Sequence, residues 1–505
     1  MQAARDSLPF AASSVSSCWR SDAAPFLFPA TPPRSALTVL AISTHSAVME
    51  PVASVKAQLR RVWLRRVWKG DSVRLHAQFL GVMHPTSSTP CEMIEDSRCS
   101  EDLADGWGSD ALKLLHELGD MANPAFLRQD FVPQLTEKLE MISRRYLLPD
   151  VHFVICSHPF IVCALLRAMT NKFMLIYLTP SPLALVPPSH HQWALRLLKE
   201  LSWSRLGVVL AASTLYSLQV QFQSGIRLVA ARPAALYVAD RHAWSWEPNG
   251  KNSKHAFVWC PSGIAKEIAT VAQIFILEGR LKGIEQLAQV YIVLKDMLPT
   301  AFATWDYLST VRLIVLLPWD LQLTSFPELY ALGVPLLLPS SDFLSDFALR
   351  VRAKHARFFW SIDAAHAGLL PGPWTEEFMV EPWLRNASDA VRSPRSYAQA
   401  KAQISYWLAA SDYEVFGSTY RFSSVAELVQ IAAWTTPEEL FETSRAMRAE
   451  WKQAWLTTGA AYDAAIGQLL GCGFDASSVE SGLTPEPGDD PVFLFGDHRG
   501  NKRRK

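Results

Sequence analysis

The chain is 505 residues long and lacks an excess of either charge: 48 Lys and Arg stand against 48 Asp and Glu. No global field therefore draws it to nucleic acid or to an anionic bilayer. It also lacks an uninterrupted apolar run of about 18 residues, the length a spanning helix needs. The longest apolar stretch, Phe153 to Pro188, is cut by His158, Pro159, Arg167, Asn171 and Lys172. Cysteine is scarce, seven in all, and never at metal-ligand spacing. Cys156 and Cys163 read as packed thiols, which favours a reducing compartment and a cytoplasmic location. His-Glu-x-x-His, a Walker loop and Gly-x-Ser-x-Gly are all missing. Metalloprotease, P-loop and serine-hydrolase chemistry are without support, and no metal or other cofactor is expected.

What is present is a globular composition, 49% hydrophobic and 19% charged, on a chain too long for one ordinary core. Residues 1–55 are rich in Ser, Ala and Pro and read as a disordered leader, or as an organellar one carrying Arg5, Arg20 and Arg34. Residues 56–245 form a first domain, 256–400 a second, 401–472 a helical region returning across the hinge, and 473–505 a disordered, basic tail. Residues 56–70 interleave Arg with Leu, Val and Trp at helical spacing. Two readings stay open there: peripheral membrane contact, or a packed helix with a solvated basic face.

Strand and helix signals alternate through the middle of the chain. Strands are expected at 72–83, 151–156, 173–178, 206–212 and 226–238, with helices at 126–147, 159–169, 190–201 and 214–223. The polar stretch 239–255, with the turn Pro248-Asn249-Gly250, reads as a hinge. The pattern restarts with a strand at 256–260. Such alternation argues for parallel, doubly wound sheets, hence an α/β protein of two Rossmann-like domains facing a cleft.

The most informative stretch is Pro318-Trp-Asp320-Leu-Gln-Leu-Thr-Ser-Phe-Pro-Glu328-Leu-Tyr-Ala331-Leu-Gly333-Val-Pro335. An apolar strand at 313–317 runs into a turn, a short helix carrying Glu328, and a second apolar strand at 336–338. Ligands of open α/β sheets sit at the carboxyl ends of such strands. The stretch resembles the donor site of retaining nucleotide-sugar glycosyltransferases of the GT-B fold. In those a Glu, seven residues, a second Glu and then Ala-x-Gly-x-Pro close the site. The resemblance implies that Glu328 grips the ribose of the donor, that Asp320 lies near the sugar, and that Gly333 belongs to the donor site. Asp320 is one methylene shorter than the Glu it replaces.

A second segment, Gly279-Arg280-Leu281-Lys282-Gly283, resembles the Gly-Arg-Leu…Lys-Gly segment of the same enzymes. That resemblance implies that Arg280 and Lys282 neutralise the donor diphosphate. Two to three residues of the family spacing are missing before Lys282, and a break in a surface helix is the alternative. Ser262 and Gly263 open a helix after a strand, where backbone N–H groups and the helix dipole suit a diphosphate. His158 follows the strand 151–156; it is either a base for an acceptor hydroxyl or a histidine satisfied in the core. Tryptophans 407, 434, 451 and 455 have the spacing of helix packing. The reading that unites these residues is transfer of a sugar from a nucleotide-diphosphate sugar to an acceptor the sequence does not identify. A catalytically degenerate scaffold of the same fold is the alternative.

Overall fold

The computed structural model describes residues 36–43, 48–59, 74–80, 133–137, 139–140, 151–158, 160–170, 172–179, 191–202, 204, 206–259, 263–294, 304–318, 321–354 and 394–469. Two parallel sheets organise them. The first contains β1 (Ala36–Ile42), β2 (Arg74–Leu80), β3 (Phe153–Cys156), β4 (Phe173–Leu178), β5 (Gly207–Ala211) and β6 (Val229–Ala230), in the order β2-β1-β3-β4-β5-β6. Its helices include α1 (Met49–Gln58), α2 (Phe160–Met169), α3 (His191–Ser202) and α4 (Thr214–Ser224). All of β3 and β4 is buried, which is why these strands are continuous apolar runs.

The leader reading of residues 1–55 is corrected for residues 36–43 and 48–55; the rest of that stretch lies outside the described residues. Ala36 to Ile42 pairs with both β2 and β3 and lies inside the sheet. The run Ala-Leu-Thr-Val-Leu-Ala-Ile is a buried strand whose signal is masked by Pro- and Ser-rich flanks. The remainder of the basic segment, residues 60–70, lies outside the described residues.

The second sheet contains β7 (His255–Trp259), β8 (Tyr291–Leu294), β9 (Leu313–Leu316), β10 (Leu336–Pro339) and β11 (Tyr420–Phe422), in the order β11-β10-β9-β7-β8. Its strands too are parallel. A four-residue helix, α5 (Leu236–Ala239), lies on the crossing between the lobes. Beyond it come α6 (Gly263–Leu281), α7 (Trp305–Thr310), α8 (Ser325–Leu332), α9 (Ser341–Lys354), α10 (Pro394–Leu408), α11 (Asp412–Val415), α12 (Val425–Trp434) and α13 (Pro437–Leu469). Each sheet places its first strand between its second and third. The topological switch points are β1/β3 and β7/β9, and ligands of doubly wound sheets bind outside the carboxyl ends there.

The expected polar hinge at 239–255 is not one. Trp244 and Trp246 are buried, stack 5.7 Å apart and pack on Phe441. Trp244 Nε1 donates to Val311 O at 2.8 Å, and its backbone N–H donates to Leu332 O. Indole burial with a satisfied N–H fixes this segment to the second lobe. The crossing therefore lies earlier, around Arg232 to Asp240.

Helix α13, 33 residues long, spans both lobes. Ser444 donates to Gly333 O at 2.6 Å and Arg448 to Trp244 O at 3.1 Å. Further along, Trp451 donates to Ala234 O at 2.5 Å, Thr458 to Arg232 O at 2.8 Å and Gln468 to Gly207 O at 3.2 Å. Trp407, Trp451 and Trp455 are buried, while Trp434 is about half exposed (45%). Among the described residues no helix is long and apolar enough to cross a membrane.

Candidate functional site at the lobe junction

The carboxyl edges of the two sheets meet through side chains. Glu50 stands in the first turn of α1, just past β1. Its carboxylate accepts from Ser54 Oγ at 2.7 Å and from the backbone N–H of Ala235 at 2.7 Å. Ala235 has φ 46°, the one described non-glycine residue in the left-handed region. A strained backbone persists only where its surroundings over-determine it, and here Glu50 holds the N–H in place.

From the second lobe, Glu328 stands in the first turn of α8, past the end of β9, and is buried. Tyr237 Oη, on α5, donates to Glu328 Oε1 at 2.6 Å. The crossing segment is thus held by one carboxylate from each lobe. Burial raises the pKa of Glu328 to about 7; the Tyr237 hydrogen bond opposes the rise and the nearby Glu50 charge adds to it. Burial raises Glu50 as well, against its hydrogen bonds from Ala234, Ser54 and Ala235. Tyr237 is held neutral, well above the ordinary phenol range, by burial and by Glu328. Two buried carboxyl groups whose burial raises both above the ordinary carboxyl range mark a candidate functional cluster.

A second polar bridge crosses the same junction. Arg232 Nε, just past β6, lies 3.5 Å from Asp412 Oδ1. Asp412 Oδ2 accepts from Gln322 at 2.5 Å, and Gln322 follows β9 within the Asp320-to-Gly333 stretch. Burial raises Asp412 to about 6 despite Arg232 and Gln322. Tyr177, at the carboxyl end of β4, donates to Ala231 O at 2.9 Å and completes the first-lobe wall.

His158 sits at the first switch point and is buried, 5% exposed. Its backbone N–H meets Ser43 Oγ at 3.4 Å, and Ser157 N–H donates to Ile42 O, so β1 and β3 together set its place. Cys156 and Cys163 flank it and are joined as a disulfide, Cα–Cα 5.6 Å. This corrects the packed-thiol reading: a strand end and the next helix's first turn bring the two within bridging range. The bond also removes the cysteine argument for a reducing compartment.

The remaining expected residues divide. Asp320 and Ser262 lie outside the described residues. Gly263 starts α6 beside the β7/β9 switch point. Gly333 caps α8 with φ +73°, and a Cβ there would stand 2.5 Å from Arg448 Nε. Its observed work is to end the helix and admit α13. Arg280 and Lys282 are brought nowhere near Glu328's end of the sheet. Helix α6 leaves the carboxyl end of β7 and runs 19 residues, roughly 28 Å, so they stand at the opposite edge. Arg280 donates to Leu287 O at 2.8 Å and Val290 O at 2.5 Å and lies over the Tyr291 ring at 4.3 Å. Lys282 pairs with Glu278 at 2.6 Å on the exposed surface. The diphosphate role is therefore withdrawn for both. Among the described residues no group of three or more His, Cys, Asp and Glu is placed to hold a metal ion.

Sequence reasoning missed Glu50, Tyr237, Arg232 and Asp412. Only Glu50 had a local signal, a lone acid opening an apolar helix (Met49-Glu-Pro-Val-Ala-Ser-Val55).

Two Rossmann-like α/β lobes with their carboxyl edges opposed make a GT-B-like architecture. No family model matches the chain, and no curated protein matches it by sequence. Among solved structures it is similar to the glycosyltransferase of kitacinnamycin, at 11% identity and TM-score 0.34, covering 87% of this chain and 100% of that one. It is also similar to a glycosyltransferase of Phytolacca americana complexed with UDP-2-fluoroglucose and pterostilbene, at 12% identity and TM-score 0.30, covering 79% and 99%. A third similar structure is a spinosyn rhamnosyltransferase complexed with thymidine diphosphate, at 11% identity and TM-score 0.28, covering 78% and 99%.

Proposed function

We propose that the chain is a glycosyltransferase that takes a nucleotide-diphosphate sugar at the lobe junction and passes the sugar to an acceptor hydroxyl. The observation that supports this reading is the Tyr237–Glu328 hydrogen bond. A hydroxyl already donates to a buried carboxylate beyond the carboxyl edge of the second sheet, the contact a ribose hydroxyl would make on displacing the phenol. Ionised Glu328 accepts from a diol; protonated, it loses half of that capacity. Gly263, at the start of α6, and Ser262, which precedes it in sequence, are the groups assigned to the diphosphate, since N–H groups and the helix dipole meet anionic oxygens at a helix start.

In this reading His158 is the base. A neutral imidazole takes the acceptor's proton as its oxygen attacks the anomeric carbon, the sugar–phosphate bond breaks, and the nucleoside diphosphate leaves with the electron pair. Asp320 is assigned to the sugar hydroxyls. Incubating purified chain with UDP-glucose and TDP-glucose tests it. Release of nucleoside diphosphate, abolished by His158→Ala and reduced by Glu328→Gln, is the expected outcome. No release, with or without a panel of phenolic and sugar acceptors, would sink the enzymatic reading.

The second reading is a donor-binding scaffold without turnover. Arg280 is spent on Leu287 and Val290 carbonyls rather than on a phosphate, which is the observation in its favour. Donor binding that depends on Glu328 without any turnover would select it.

A further inference from the structure

The turn between β9 and α8 is held from both lobes by a line of polar side chains. Gln322, buried between the buried Leu321 and Leu323, lies six positions before Glu328. Its amide meets Asp412 at two points: Nε2 donates to Oδ2 at 2.5 Å, and Oε1 accepts the Asp412 backbone N–H at 3.1 Å. The other carboxylate oxygen of Asp412 faces Arg232 Nε at 3.5 Å. Arg232 in turn donates from Nη2 to Thr214 Oγ1 at 2.8 Å, at the start of α4 just past β5. The line from Thr214 through Arg232 and Asp412 to Gln322 therefore joins the carboxyl edge of the first sheet to that of the second.

The residues after Asp412 pack on the helix that carries Glu328. Tyr413 meets Phe326 edge-on with ring centroids 5.2 Å apart, and Phe416 lies 4.6 Å from Tyr330 and 5.9 Å from Phe326. Apolar contacts of this kind bury area without fixing register. The two hydrogen bonds between Gln322 and Asp412 add direction. They require a carboxylate with no exposure, and a buried ion pair gives little net stability over apolar side chains of the same volume. What the pair supplies is geometry. We infer that Asp412 is a positioning residue for the donor site: it sets the turn that presents Glu328 to the ribose, and through Arg232 it ties that setting to the first lobe. The assignment rests on the donor reading proposed above. Neither Asp412 nor Arg232 touches the nucleotide sugar in this account, and Arg232 acts only through Asp412.

Calorimetric titration of UDP-glucose and TDP-glucose into the full chain at pH 8 tests it, with Glu328→Gln as the control; Asp412 and Glu328 are both mainly ionised there. Asp412→Asn neutralises the contact and Gln322→Glu sets two carboxylates against each other, so each should weaken binding by about tenfold. The double variant exchanges amide and carboxylate and should return to within about threefold of wild type. Arg232→Ala should weaken binding about threefold in the wild-type background and not at all in Asp412→Asn. In nucleoside-diphosphate release the loss should fall on KM and leave kcat within about twofold. Binding weakened by Glu328→Gln but untouched by Asp412→Asn and Gln322→Glu overturns this assignment and leaves the donor reading standing. So does a double variant that recovers nothing, or a loss confined to kcat. Arg232→Ala, at a side chain 28% exposed, serves where a buried variant does not fold: unchanged binding there overturns the tie to the first lobe. A wild-type chain that binds neither sugar nucleotide, or binding indifferent to Glu328→Gln, removes the donor reading and this assignment with it.

Discussion

The second lobe holds two segments that resemble parts of one donor site, and the fold sends them to opposite edges of the same sheet. Glu328 rides on α8, close behind the carboxyl end of β9, and meets Tyr237 at the lobe junction. Arg280 rides at the far end of α6 and ties down the turn into β8. Both segments resembled the family by residue type, the first with Asp320 in place of a Glu and the second with two to three residues missing before Lys282. What separates them is distance along a helix: a residue in the first turn stays at the ligand edge, and one five turns on has crossed the sheet. A motif on a βα unit is therefore informative only when its offset from the strand end is known.

The comparison can be broken at several points. Gly333→Val should have the largest effect, about 3 kcal/mol of lost stability, since it combines a left-handed backbone with a clash against Arg448; urea denaturation measures it. Combining it with Arg448→Ala should recover the clash but not the backbone part.

Glu328 comes next. Its folded pKa, about 7, lies above the ordinary 4.5, so the native state binds the proton more tightly. Stability from this group is fully present below about pH 4.5 and falls as pH rises to about 7, by about 3 kcal/mol in all. Denaturation midpoints across pH 5 to 8 should show that slope, and Glu328→Gln should flatten it. A slope of opposite sign at this site would contradict the burial of the carboxyl group.

Glu50→Ala should cost about 2 kcal/mol, because it leaves the Ala235 N–H without its acceptor and frees a strained residue. Hydrogen exchange at Ala235 reads this directly. Arg280→Ala should cost about 1–2 kcal/mol through two lost carbonyl contacts, seen in thermal melts, and should leave donor binding alone. Lys282→Ala should change stability by nothing measurable, since its partner Glu278 is on the surface.

Much of the scaffold was legible because parallel strands buried on both faces are unmistakable apolar runs. Phe173 to Leu178 is a strand with the bounds its composition implies, and β3, β5, β7, β9 and β10 differ by a residue or two at their ends. Strands lacking that signature escaped. Tyr420 to Phe422 is three residues with one buried, and Tyr291 to Leu294 is a half-exposed edge. Ala36 to Ile42 was hidden by its flanks. Leu236 to Ala239 sits in an apolar run that reads as a strand, yet forms the helix that presents Tyr237.

The site was less legible, since its groups meet only through the fold. Glu50 and Glu328 lie 278 positions apart in sequence, and neither predicts the other. Tyr237 carries no motif at all. Its importance comes from lying on a segment held by a carboxylate from each lobe, which is a property of topology rather than of neighbouring residues.

The most direct test is calorimetric titration of UDP-glucose and TDP-glucose into the wild-type chain, Glu328→Gln and Lys282→Ala, at pH 6 and pH 8. Binding that tightens as Glu328 ionises through pH 7, weakens at least about tenfold in Glu328→Gln, and is unchanged in Lys282→Ala is the predicted result. Binding indifferent to Glu328, or lost with Lys282, would contradict a donor site at the lobe junction.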